Sequence, residues 1–222
     1  MVDGVALECV PHYTYLGVPL DSRLTFELTI KELVKKVKGR LFNLAKISNM
    51  INRSTALIIY KTCIATLFNY ASFFYAAAGE NCLVRLQRLQ NRGLRTCINT
   101  ANRVHSVEEL HTKSSMPMLA RRRDELLVTL MRKYYGKSSE ALAERGLDRQ
   151  ESRNTRASSK KLFALGRPNT EGYRKSPEYR GKMLWNVQLD WLKESTTKAQ
   201  FKRNLKKVHN LRTNTQTRIK RW

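Results

Sequence analysis

Apolar residues return every three or four positions through most of residues 29–98, and this periodicity commits the middle of the chain to packed helices. In residues 29–47, Ile30, Leu33, Val34, Val37, Leu41, Leu44 and Ile47 share one side of a helix. Lys31, Lys35, Lys38 and Lys46 fall mostly off that stripe. Residues 54–78 predict a second, continuous helix capped by Ser54. Leu57, Ile58, Ile64, Leu67, Phe68, Ala71 and Phe74 leave it few polar positions, so it is expected to be central and the most buried. Residues 83–98 divide most sharply. Leu83, Leu86, Leu94 and Cys97 form one face, and Arg85, Arg88, Arg92 and Arg95 lie together on the opposite one.

No acid interrupts residues 81–103, so the four arginines have no local carboxylate and must meet water or an external anion. The whole chain shares the bias: 42 Lys and Arg against 18 Asp and Glu give a formal charge of +24. Such a balance points to a polyanionic partner, with nucleic acid first. A ribosomal or histone-like protein fits the same balance, and an anionic membrane surface fits it less well. Phosphate contact is therefore expected at Arg85, Arg88, Arg92 and Arg95, with Lys31, Lys35 and Lys38 of the first helix. In the run Arg121-Arg122-Arg123 the side chains point in different directions around a helix. Two of them, Arg121 and Arg122, are expected to reach the same backbone, and the third to be solvated.

The chain opens differently. Residues 5–10 and 14–18 read as two short strands with Pro11-His12 between them, after an Asp3-Gly4 turn signal that has no strand before it. Gly17 and Pro19 bend and stop the second strand, and Asp21-Ser22 turns into the first helix. Further on, Ser106 to Glu109 has the form of a capping box and starts a short helix through His111. Pro117 suits the first turn of a helix running to Tyr135, stopped by Gly136, with Leu119, Leu126, Leu127, Leu130, Met131 and Tyr134 on its apolar side. Residues 136–172 weaken in pattern, with a short helix at 139–145 and a polar stretch at 149–161, and read as a mobile linker. Residues 173–191 concentrate Tyr173, Tyr179, Trp185 and Trp191. Residues 197–210 form a last basic helix with Phe201, Leu205 and Val208 on one side, and 212–222 a frayed basic tail. The expected fold is mainly α: a short N-terminal β-hairpin, a helical bundle and a basic C-terminal extension. The expected divisions are 1–25, 26–136, a linker 137–172, and 173–222.

Much chemistry is excluded. Cys9, Cys63, Cys82 and Cys97 form no CxxC pair, and no basic-then-apolar leader opens the chain. A reducing, intracellular compartment, nuclear or cytoplasmic, is expected. The uncharged run 62–79 is diluted by Thr62, Thr66, Asn69 and Ser72 below what a membrane span needs, so a buried helix is expected instead. The five aspartates, Asp3, Asp21, Asp124, Asp148 and Asp190, are scattered, and none stands in a strand-turn-strand setting that presents two carboxylates to paired metal ions. Cys97, His105 and His111, like Cys9 and His12, lack enough partners for zinc. No cofactor, no metal and no catalytic residue is expected.

The run Tyr15-Leu16-Gly17-Val18-Pro19-Leu20-Asp21, then Leu24-Thr25-Phe26 and the helix after it, resembles the segment following the catalytic palm in reverse transcriptases of non-LTR (LINE-like) retrotransposons. Leu67-Phe68-Asn69-Tyr70-Ala71, the stretch Leu86-Gln87-Arg88-Leu89-Gln90-Asn91-Arg92-Gly93-Leu94-Arg95, Val107-Glu108-Glu109-Leu110-His111, Pro117 and the triple arginine look like that family's thumb, in order. Lys175-Ser176, Tyr179-Arg180-Gly181, Leu184-Trp185-Asn186 and Phe201-Lys202-Arg203-Asn204-Leu205 resemble its tail. Where relatives usually place a short Leu-Pro, this chain has Val187-Gln188-Leu189. The resemblance implies a thumb-like bundle that grips a template and primer duplex, with an RNA template or RNA/DNA hybrid as partner. It also implies a C-terminal fragment, since the fingers, the palm with its Asp-Asp motif and the endonuclease have no counterpart, so no polymerase activity is expected from this chain alone. A basic helical module for an acidic protein or membrane surface, or a retroelement remnant without function, are the competing expectations.

Overall fold

The structure, a computed structural model, describes residues 10–98, 106–135 and 162–219, which fall in two compact units, Met1–Arg123 and Asp124–Trp222. The first opens with antiparallel strands β1 (His12–Tyr15) and β2 (Val18–Asp21). The hairpin is thus displaced from the expected one: the turn is Leu16-Gly17, not Pro11-His12, while residues 5–9 lie outside the described residues. Both turn residues have positive φ, 48° and 74°, the geometry that matches the twist of two flanking strands. Tyr15 and Val18, either side of a two-residue loop, form a hydrogen-bonded pair, and pairs alternate from there. Thr14 and Pro19 therefore face each other at a non-bonded position, where proline's missing N–H is not needed. Ser22 N donating to Pro11 O at 3.2 Å keeps the alternation. β1 is exposed along its length, Tyr13 at 64% and Tyr15 at 60%.

Asp21 then builds the corner. Its carboxylate accepts from the backbone N–H of Thr25 and of Phe26, both at 2.9 Å, and holds Phe26 at φ 58° as the helix begins. Helix α1 (Glu27–Ile47) buries Ile30, Val34, Val37, Leu41 and Leu44, as its periodicity predicts. Thr29 Oγ1 donates to Pro19 O and ties the helix to the hairpin.

The expected continuous helix 54–78 is broken. It consists of α2 (Arg53–Ile59), a π-helical turn (Tyr60–Ile64), α3 (Ala65–Asn69) and α4 (Ser72–Tyr75). Its cap is Asn52, whose side chain accepts from Thr55 N, rather than Ser54. The buried residues Ala56, Tyr60, Ile64, Phe68 and Ser72 step by four. In an α-helix of about 3.6 residues per turn that step drifts about 40° each time. The wider π turn, in which Ala65 N–H reaches back to Tyr60 O, restores the row to the core. Ala71 at φ 51° breaks the run between α3 and α4, and Ile58, Tyr70 and Phe74 are exposed, so the segment is one-sided rather than buried all round.

Helix α5 (Glu80–Ile98) packs Leu86, Leu89, Leu94 and Cys97 inward. Gly93 lets α1 and the π turn come close: a Cβ there would stand 2.6 Å from Leu41 Cδ2 and 2.6 Å from Tyr60 Cε2. Helix α6 (Val107–Ser114) has the Ser106 cap expected, its hydroxyl accepting from Glu109 N, and extends three residues past His111. Helix α7 (Leu119–Tyr135) starts two residues after Pro117.

A polar cluster joins α5, α6 and the start of α7. Leu119 N donates to Gln87 Oε1 at 2.9 Å, Gln87 Nε2 to Gln90 Oε1 at 2.8 Å, and Gln90 Nε2 to Pro117 O at 3.0 Å. His111 Nδ1 donates to Met116 O at 2.8 Å, and the Asn91 amide lies 2.8 Å from Gln87 Nε2 and 2.9 Å from His111 Nε2. Gln90, Asn91 and His111 are buried, so these bonds replace the water their polar atoms have lost.

In the second unit α8 (Glu171–Lys175), α9 (Pro177–Asn186), α10 (Asp190–Lys193) and α11 (Lys198–Ile219) follow the second part of α7. Trp185 is the core, with Phe163 edge-on at 6.1 Å and Phe201 stacked at 6.1 Å. Asn186 exchanges two hydrogen bonds with the backbone of Phe163, each 2.9 Å, which fix that segment beside Trp185. Phe201, Leu205 and Val208 are buried as expected. The last helix continues to Ile219 instead of giving way to a frayed tail at 212. The fold is mainly helical behind an N-terminal hairpin, as the sequence indicates. The expected helix at 139–145 and the polar stretch 149–161 lie outside the described residues.

Candidate nucleic-acid interface

Helix α5 presents its arginines because the core claims the other side. Arg85, Arg88 and Arg92 are exposed and Arg95 is half-buried. On a wheel of about 100° per residue the four span about 80°, opposite the buried Leu86, Leu94 and Cys97. Among the described residues none of the four is ion-paired. The contrast with other cations is what makes this informative. Lys113 meets Glu109 at 2.7 Å, Arg180 meets Asp124 at 2.7 Å and Lys182 meets Glu178 at 2.9 Å. Where this protein uses cations to stabilise its own helices, it supplies a carboxylate.

Helix α1, packed on α5 at Leu41 and Gly93, carries Lys31, Lys35 and Lys38 on one exposed face, also without carboxylate partners among the described residues. Sequence reasoning missed that Phe42 lies in the same arc. It is 61% exposed, and the Lys46 ammonium sits 4.5 Å from its ring centroid. An exposed aromatic among lysines at helical spacing was the available signal.

The triple arginine behaves otherwise. Arg121 and Arg122 are half-buried and interact within the chain, Arg122 Nε donating to Asn69 Oδ1 at 3.2 Å. Arg123, expected in solvent, is 7% exposed, because it falls on the same side of α7 as the buried Leu119 and Leu127, four residues before and after it. The structure therefore gathers the α5 arginines on one face and the α1 lysines on another, and leaves Arg121 and Arg122 engaged at the start of α7.

Titration and metal chemistry are sparse here. Burial pushes the His111 imidazole below its ordinary range, against the pull of the Met116 carbonyl and the Glu108 carboxylate. Burial also pushes the Cys97 thiol up to about 11, which makes it a small apolar residue and not a nucleophile. Among the described residues no three His, Cys, Asp or Glu side chains gather as a metal site, and no helix is long and apolar enough to cross a membrane.

No family model matches the chain, and no solved structure matches it. Among curated proteins it is 28% identical over 122 residues to the "Probable RNA-directed DNA polymerase from transposon BS" of Drosophila melanogaster, an alignment covering 49% of this chain and 14% of that protein. The chain thus matches about one seventh of the length of that relative. Over that stretch the chain is distantly similar to a transposon RNA-directed DNA polymerase.

Proposed function

We propose that the first unit is the thumb-like part of a transposon RNA-directed DNA polymerase and binds nucleic-acid backbone, with no catalytic step of its own. Arg85, Arg88, Arg92 and Arg95 contact phosphates, Lys31, Lys35 and Lys38 add positive potential from their own face of α1, and Arg121 and Arg122 supply further positive charge at the start of α7. The observation that carries this reading is the arginine face of α5, four guanidiniums on one side of a helix with no carboxylate paired to them among the described residues. Guanidinium groups match phosphate oxygens in a planar, bidentate geometry, which suits them to backbone contact with little base reading. The similarity to a transposon polymerase supports a template or RNA/DNA hybrid as the polymer. If the arginine face neutralises about four phosphates, it contributes about −3 to −4 to the slope of log K against log salt for a labelled hybrid. Replacing the four arginines by glutamine flattens that slope. Affinity independent of salt, affinity unchanged in the fourfold variant, or an acidic protein that displaces the hybrid more readily than duplex RNA does would refute the reading.

A further inference from the structure

We infer that α11 of the second unit carries a separate binding surface for the sugar-phosphate backbone, formed by Lys198, Lys202, Arg203, Lys206 and Lys207. Phe201, Leu205 and Val208 pin one side of this helix in the core, which turns all five cations outward, and all five are exposed. Lys198, Lys202 and Lys206 form a row at i, i+4 and i+8, one cation about every 6 Å. Arg203 and Lys207 form a second row beside it.

The rest of this unit shows what is missing. Lys175 pairs with Glu171, Lys182 with Glu178 and Lys193 with Asp190, each one turn away on its own helix. No Asp or Glu follows Glu194 in the sequence, and none of the five cations is ion-paired among the described residues. Like charges at i, i+4 weaken a helix, a penalty that a bound polyanion removes. A row of point charges without a concave pocket or a selecting side chain suits a repeating phosphate polymer, not a small anion.

The test is salt-dependent binding of a labelled RNA/DNA hybrid by the full chain, with Lys198, Lys202, Arg203, Lys206 and Lys207 replaced together by glutamine. Glutamine keeps helix propensity, and circular dichroism checks that the helix remains. With about three phosphates lost, the slope of log K against log salt should flatten by about 2 to 3, and affinity in low salt should fall about tenfold or more. A matched control replaces the carboxylate-paired Lys113, Arg174, Lys175, Arg180 and Lys193 by glutamine and leaves the slope unchanged. An unchanged slope in the α11 variant, or an equal loss in the control, overturns the inference. The fourfold arginine variant of α5 is measured in parallel, so the two surfaces succeed or fail separately.

Discussion

Gly93 and Gly39 are both interior helix glycines, and replacing each with alanine should move stability in opposite directions. Alanine is favoured over glycine in a helix by about 1 kcal/mol, so propensity alone predicts a gain at both sites. At Gly39 a Cβ meets nothing within 4 Å, and that gain should appear in full. At Gly93 the new methyl would stand 2.6 Å from Leu41 Cδ2 and 2.6 Å from Tyr60 Cε2, about 1 Å inside ordinary carbon contact. Leu41 is 5% exposed and Tyr60 fully buried in the π turn, so neither can swing into solvent. Overpacking of this kind costs about 1–3 kcal/mol and should offset or exceed the propensity gain, for a net loss of up to about 2 kcal/mol. In a chain of this length that is a fall in Tm of up to about 8 °C, against a rise of about 2–4 °C for Gly39→Ala. Helical melting followed by circular dichroism reads both. Combining Gly93→Ala with Leu41→Ala should cost less than the sum of the two, because the second change makes room for the first. A Gly93→Ala protein as stable as the Gly39→Ala protein, or strict additivity with Leu41→Ala, would refute the close approach.

Three other outcomes follow from the geometry. Asp21→Ala removes the acceptor for Thr25 and Phe26 N–H and should lower stability by about 1 kcal/mol in denaturant titration. Burial raises the Asp21 carboxyl but those N–H bonds outweigh it and hold the group below its ordinary value, so its contribution is present above about pH 4 and lost as pH falls further; the gap to Asp21→Ala should close in acid. His111 is shifted down by burial, so its contribution is complete above about pH 6.5 and lost as pH falls below, and His111→Gln should flatten the stability profile below about pH 6.5. Asn186→Ala removes the two hydrogen bonds its amide makes with the buried Phe163 backbone and should cost about 1–3 kcal/mol, read by tryptophan fluorescence, since Trp185 and Trp191 lie in the second unit beside this contact.

The helices with repeating burial were legible in the sequence because each turn restates the same partition. In α1, in α5 and at Phe201, Leu205 and Val208, one residue's environment predicts the next. The π turn was not, although its signal was present: the row Ala56, Tyr60, Ile64, Phe68, Ser72 advances in fours, too slowly for an α-helix. The hairpin was misplaced because Leu16 adopts a left-handed backbone that leucine disfavours intrinsically, and only the pairing of its flanks imposes it. Phe163 could not be assigned from local pattern at all, since its burial depends on Trp185 and Asn186, more than twenty residues away. For the candidate interface, the segregation of arginines was visible, but their lack of carboxylate partners, and the engagement of Arg121 and Arg122, depend on which side chains the fold brings together.

Pro19 makes the hairpin a one-sided template. At its non-bonded position the backbone of residue 19 points away from β1, where a third strand would have to join. Proline offers no N–H there, and its carbonyl already accepts from Thr29 Oγ1, so donor and acceptor are both withdrawn from that edge. On β1 the outward row includes His12 and Thr14, whose N–H groups no proline interrupts. Any extension of this sheet therefore has one permitted direction, through β1 and past the exposed Tyr13 and Tyr15, while the flank against α1 is closed to strand addition.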